Sequence, residues 1–163
     1  MRKTTIDLSL RPRRPTDDRF IYRLSDEVFS AYSVHPGSAM GSMLGEPGAR
    51  AMIAEHGRRA VGFFVIDVEP LGRPFGPWQR PALARLNAIS VQPELHGRGV
   101  GRFLLDHAEE TARAGGAVSM TLMTADTNGR AQHLFESAGY QRLFVLSNAY
   151  ARGQRGIVMT KAL

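Results

Sequence analysis

Residues 93–110 read PELHGRGVGRFLLDHAEE, with three glycines (Gly97, Gly99 and Gly101) inside five positions and a helical pattern directly after them. Leu104, Leu105 and Ala108 fall on one face of that pattern, with Glu109, Glu110 and Arg113 outside. This predicts a helix over Gly101–Ala114, ended by the left-handed cap that Gly115 and Gly116 supply. Upstream, Ala82–Val91 reads as a strand whose last residues, AISV, run straight into the glycines. A strand that ends in a bare turn and opens a helix gathers unpaired N–H groups at the positive end of the helix dipole, which makes a pocket for an anion. Glycine suits such a turn because a Cβ would hold phosphate oxygens away from the backbone and because it accepts positive φ. Arg98 and Arg102 flank the turn and can add charge-assisted contacts. A dinucleotide fingerprint does not fit, since Arg102 stands where its third glycine belongs, and the G-K-[ST] ending of a P-loop is absent.

Working outward, Thr5–Leu10 alternates as a first strand that Arg11–Pro15 would break. Thr16, Asp17 and Asp18 offer cap chemistry to a helix with apolar residues at Phe20, Ile21, Leu24, Val28 and Phe29. Residues 33–49, SVHPGSAMGSMLGEPGA, hold four glycines and two prolines and predict an irregular segment with at most one short helical turn, either lining a site or merely connecting. Arg50–Glu55 and Ala60–Glu69 read as a hairpin, and residues 70–80 as a Pro/Gly-rich excursion around the single tryptophan. Val118–Thr124 is a further strand, Arg130–Ala138 a second helix ended by Gly139, and the tail supplies strands around Phe144 and Val158. Several strands followed by β-α-β-α-β imply a mixed sheet with helices packed on it.

Composition narrows the function classes. The chain has 163 residues, 43% apolar and 22% charged, which suits one soluble domain over 1–163 with a single site. No apolar run approaches a membrane span, and the first 15 residues lack the apolar core of a signal peptide, so a cytoplasmic protein is expected. Without cysteine there is no disulfide, thiolate nucleophile or Cys-based metal site. The five histidines form no H-x-x-x-H pair and there is no G-x-S-x-G elbow, which disfavours metal catalysis and serine hydrolysis. The net charge of +6 is concentrated at the two ends, yet no basic run exceeds two residues, so nucleic acid is disfavoured as the main partner.

Taken together, V-x-P-E-x-x-G-R-G-V-G-R-x-L-L, the following strand and N-G-R-A-Q-H-L-F-E-S-A-G-Y resemble the GNAT superfamily of acyl-CoA-dependent N-acetyltransferases, densely over residues 83–140. The resemblance implies an α/β fold with a mixed, mostly antiparallel central sheet flanked by helices. It also implies an enzyme that uses acetyl-CoA, and no metal, to acetylate an amine acceptor by direct attack in a ternary complex. His96, Gly97, Arg98, Gly99, Val100 and Gly101 match the family's pyrophosphate loop, with His96 replacing the usual Arg or Gln. Main-chain groups of Ile89, Ser90 and Val91 would meet the pantetheine arm where the sheet splays. Asn128 matches the Asn that meets pantetheine, although it reads equally as a helix N-cap. Ala131 and Phe135 would face the same cleft as well as the core. A homodimer is left open.

The implied reaction needs an oxyanion donor, an acid for the departing thiolate and a route for the amine's proton. The main-chain N–H near Ile89 is the family's oxyanion donor. Phe135 occupies the position of the family's usual Tyr acid, so Tyr150, in the loop before the last strand, is the substitute candidate and Tyr140 a packed residue. Asn87 stands about where many members carry a Glu base. It cannot remove a proton, but it can hold a water that relays one. Asp126, Glu55 and His35 read as structural or solvated. The missing acid and base keep a second reading open, a non-catalytic acyl-CoA sensor of the same fold.

Overall fold

The computed structural model describes residues 6–163. Seven strands form one sheet: β1 (Ser9–Pro12), β2 (Ala49–His56), β3 (Arg59–Pro70), β4 (Ala82–Val91), β5 (Ala117–Ala125), β6 (Gln141–Leu146) and β7 (Gly156–Ala162). Their spatial order is β1-β2-β3-β4-β5-β7-β6. Only β4 and β5 run parallel, joined by a right-sized crossover that contains α3 (Val100–Ala114). Every other neighbouring pair is antiparallel. The mixed, mostly antiparallel sheet implied by the resemblance is therefore what forms.

Two cores lie on opposite faces of the sheet. Leu104, Leu105, Ala108 and Ala112 of α3, with Phe135 and Ala138 around α4 (Gly129–Ser137), pack with Ala84, Leu86, Met120 and Leu122. On the other face Ile21 and Leu24 of α1 (Asp18–Phe29) and Met40 of α2 (Pro36–Gly45) pack with Ile53, Phe63, Val65 and Ala88. Fully buried side chains such as Leu104 and Leu105 each contribute roughly 1.5–3 kcal/mol of burial. A bulge lets β4 serve both cores. Val65 pairs with Ala88 but Ile66 pairs with Leu86, so Asn87 is the extra residue. The inserted residue reverses the in-and-out alternation, sending Leu86 to one core and Ala88 to the other.

Four expectations are corrected. The first strand is Ser9–Pro12, not Thr5–Leu10; Thr5 lies outside the described residues. Pro12 is tolerated there because β1 is an edge strand paired only with β2. Residues 33–49 hold a ten-residue helix, α2, which opens on Pro36 and is held by the burial of Met40 despite its glycines. Glu109 is buried rather than outside, where Lys161 donates to both its carboxylate oxygens at 3.0 and 2.9 Å. Helix α3 begins at Val100, one residue early. The excursion after β3 is exposed and stacks Phe75 on Trp78 at 6.4 Å. Among the described residues no helix is long and apolar enough to cross a membrane.

Candidate active site

The glycine turn is open. Gly97 and Gly99 sit at φ +73° and +87°, and a Cβ at either would meet nothing within 4 Å. Left-handed backbone with empty space in front of it permits close approach by a ligand, as it also would at Gly57, Gly72 and Gly116. Gly99 is the N-cap of α3, and the first intrahelical bond runs from Phe103 N to Gly99 O at 3.0 Å. The N–H groups of Val100, Gly101 and Arg102 precede that bond and point out of the helix end. Gly101 differs: its φ is ordinary, and a Cβ there would lie 3.4 Å from Leu134 Cδ2 of α4, in ordinary contact. The Val100 side chain is buried, which leaves only its main chain to the turn.

The flanking side chains divide. Arg102 lines the cleft, braced by Asp106 at 2.9 Å, whereas Arg98 is exposed and lines neither cavity described below. His96 Nε2 lies 2.9 Å from the Val91 carbonyl. A carbonyl only accepts, so this nitrogen carries the proton and pins the turn to the end of β4. The same bond occupies one lone pair of Val91.

Beside the turn the sheet opens. The β4–β5 ladder ends at Leu86 opposite Leu122, although β4 continues to Val91 and β5 to Ala125. Two cavities meet in this gap. A larger one of about 720 Å³ extends over Ser90, His96, Gly97 and Gly99, and a smaller one of about 480 Å³ extends over Arg85, Asn87 and Met123. Phe29, Tyr32, Ile89, Asn128, Ala131 and Phe135 line both. The Ser90 hydroxyl is buried there with no partner among the described residues. Asn128 caps α4, its Oδ1 accepting from Ala131 N at 3.2 Å, and it also lines the junction. Phe135 likewise is buried, edge-on to Tyr140 at 5.8 Å, and lines the junction.

On the far side of the junction, Asn87 projects from the bulge. Its Nδ2 donates to Asp67 Oδ2 at 2.8 Å. Because a carboxylate only accepts, this contact fixes the amide orientation and leaves Asn87 Oδ1 as the uncommitted atom. The Tyr150 hydroxyl lines the smaller cavity and donates to the Met123 carbonyl at 3.0 Å, and burial pushes its pKa up to about 12. The loop carrying Tyr150 is clasped to the α1–α2 connection. Ala151 N donates to Tyr32 O at 2.9 Å, Gln154 Nε2 donates to Ala31 O at 2.7 Å, and the Tyr32 and Tyr150 rings meet edge-on at 6.2 Å. Arg152 holds φ +60° in this loop.

Asp126, Glu55 and His35 line neither cavity. Asp126 is paired with Arg155 and Glu55 with Arg11. Sequence reasoning missed Tyr32, Asp67 and Arg85. Asp67 had a signal, an acidic residue inside the apolar run FFVIDV; Tyr32 had none, because its position depends on the clasp.

The family model described as acetyltransferase (GNAT) family matches residues 18–140. The chain is 34% identical over 71 residues to the [ribosomal protein bS18]-alanine N-acetyltransferase of Salmonella typhimurium, covering 44% of this chain and 48% of that protein. It is 28% identical over 157 residues to mycothiol acetyltransferase of Rhodococcus jostii, covering 90% of this chain and 49% of that protein. The chain thus spans about half the length of the curated relatives it matches. In fold it is similar to Arabidopsis thaliana NAA60 solved in complex with acetyl-CoA, with a TM-score of 0.81 and 12% identity over 96% of this chain and 99% of that one.

Proposed function

The chain belongs to the acetyltransferase (GNAT) family, and on that premise we propose that it moves an acetyl group from acetyl-CoA to a primary amine by direct attack in a ternary complex. The observation that carries this reading is the meeting, at one junction, of an open glycine turn and a splayed sheet. The larger cavity would take the donor. Gly97, Gly99 and the first N–H groups of α3 bind the diphosphate, with Arg102 adding charge. The unpaired edge at Ile89, Ser90 and Val91 receives the pantetheine arm as an added strand would be received. The partnerless Ser90 hydroxyl supports a polar occupant there, and the amide nitrogen of Asn128, not used in capping, provides a further donor.

The smaller cavity would take the acceptor, and the thioester would sit between the two. The Ile89 N–H stabilises the tetrahedral oxyanion; a donor of this kind is worth roughly 3 kcal/mol. Tyr150 supplies the proton to the departing sulfur. With its pKa raised to about 12 it keeps that proton throughout the neutral range, and it turns from the Met123 carbonyl to do so. Asn87 Oδ1 accepts an N–H of the attacking amine and orients its lone pair; after attack the nitrogen sheds its extra proton to solvent, and Tyr150 regains a proton from solvent as CoA leaves. No carboxylate among the described residues lines the smaller cavity, which favours an acceptor amine less basic than that of a lysine, near 10.4. The same reading takes residues 1–163 as one acetyltransferase domain.

The test is incubation of the purified chain with acetyl-CoA and a panel of primary amines, following thiol release and the acetylated product together. Matched appearance of both supports transfer. Tight acetyl-CoA binding with no acetylated product from any amine contradicts it.

A further inference from the structure

If the chain transfers acetyl to an amine as proposed above, the smaller cavity also carries information about the acceptor. We propose that the acceptor is an α-amino acid with an apolar side chain, its carboxylate read by Arg85. The walls are apolar, formed by Phe29, Met40, Met43, Met123 and Val158, and thioether side chains adapt to the shape of an apolar guest. Among the described residues Arg85 is the one charged side chain in the lining. Its side chain is 62% exposed, and its contact with the protein is a loose one, Nε to Asp67 Oδ1 at 3.9 Å. An exposed pair at that separation contributes little. The guanidinium makes no hydrogen bond among the described residues, so its planar fork is uncommitted and suited to a carboxylate.

The position of Arg85 sets the size of what it can read. Asp67 accepts from Asn87 through its other oxygen. The Arg85 and Asn87 heads therefore converge on one carboxylate from positions two apart on β4, a backbone separation of about 7 Å. A molecule with its amine on Asn87 Oδ1 and an anion on the guanidinium needs the two groups a few bonds apart, as in an α-amino acid. The side chain then lies among the methionines and the amine lies toward Ile89, where the thioester would be. A diamine or a lysine side chain would meet Arg85 instead of a carboxylate, and like charge would repel it.

L-Leucine and L-leucinamide separate this inference from the transfer reading, because they share a side chain and differ in the anion. The amide has the less basic amine and reacts faster where nothing recognises the carboxylate. We expect kcat/KM for leucine to exceed that for leucinamide by about 10-fold or more. Arg85→Gln should bring the ratio to one or below, and Arg85→Lys should restore part of it. An acetyl-CoA-induced rise in Tm in each variant shows that folding and the donor site persist. Equal or better use of the amide by the native protein, or an Arg85→Gln variant that keeps the preference for the acid, overturns the inference while leaving amine acetylation standing. Acetylation of neither compound also overturns it, and the wider amine panel then decides the transfer reading on its own.

Discussion

The two halves of the cleft are built from different materials. The proposed donor half, from the end of β4 through α4, consists mostly of main chain: the glycine turn, the first N–H groups of α3 and the open edge at Ile89–Val91. The proposed acceptor half is made of side chains from widely separated segments: Tyr32 after α1, Met40 on α2, Asp67 on β3, Arg85 and Asn87 on β4, and Tyr150 before β7. A ligand gripped by main chain leaves a local mark, because the chain must be glycine where a Cβ would intrude. A ligand gripped by side chains leaves marks scattered along the chain that only the fold assembles.

The largest expected effect attacks the donor half. Gly99→Glu puts a side chain at φ +87° and a negative charge in the proposed diphosphate site. Affinity for acetyl-CoA, measured by calorimetry, should fall by at least about 100-fold, with near-native circular dichroism. Retained affinity would move the donor site elsewhere and dissolve the contrast. In the acceptor half, Tyr150→Phe should lower kcat by about 10- to 100-fold with the KM for acetyl-CoA little changed, the mark of a lost proton donor. Tyr32→Phe should cost under about fivefold. Reversed magnitudes would make Tyr32 the acid.

The anchorage of α1 to the sheet is tested by pH. Arg11 donates to both oxygens of Asp17 at 2.7 and 2.8 Å and also pairs with Glu55, tying β1, β2 and the start of α1 together. Hydrogen bonding by Arg11 lowers the Asp17 pKa from 3.8 to about 2. A carboxyl depressed on folding stabilises the fold fully above its unfolded pKa, and that stability fades as pH falls from about 4 through 2. The contribution is about 2 kcal/mol. Asp17→Asn should therefore lower stability at pH 6 by about that much in denaturant unfolding, and flatten the acid slope between pH 4 and 2. An unchanged slope would show that the anchorage lies elsewhere. The smallest effect is expected of a conservative change at His96. His96→Gln keeps a donor for the Val91 carbonyl and should change acetyl-CoA affinity by less than about threefold, whereas His96→Ala should weaken it by about tenfold.

The same division explains what could be read in advance. The α3 and α4 helices, the strand feeding the turn and the mixed sheet followed from hydrophobic spacing and glycine placement. Helix α2 did not, because its three glycines argue against a helix locally and only burial of Met40 against the sheet overrides them. Edge strand β1 was displaced because Pro12 reads as a breaker, yet an edge leaves one side of the strand unpaired. Glu109 reads as solvated until Lys161, 52 residues on, arrives beside it. Asn87 could be flagged by position, but its orientation depends on Asp67, and Tyr32 enters the site only through the clasp.

The central claim is that the amides opening α3 grip a diphosphate, and hydrogen exchange of those amides, read residue by residue with and without CoA, tests it most directly. Gly97, Gly99, Val100, Gly101 and Arg102 should exchange more slowly when CoA is present, while the exposed Phe75–Trp78 excursion is unaffected. Saturating CoA that leaves those five amides unchanged and protects another segment would contradict the account.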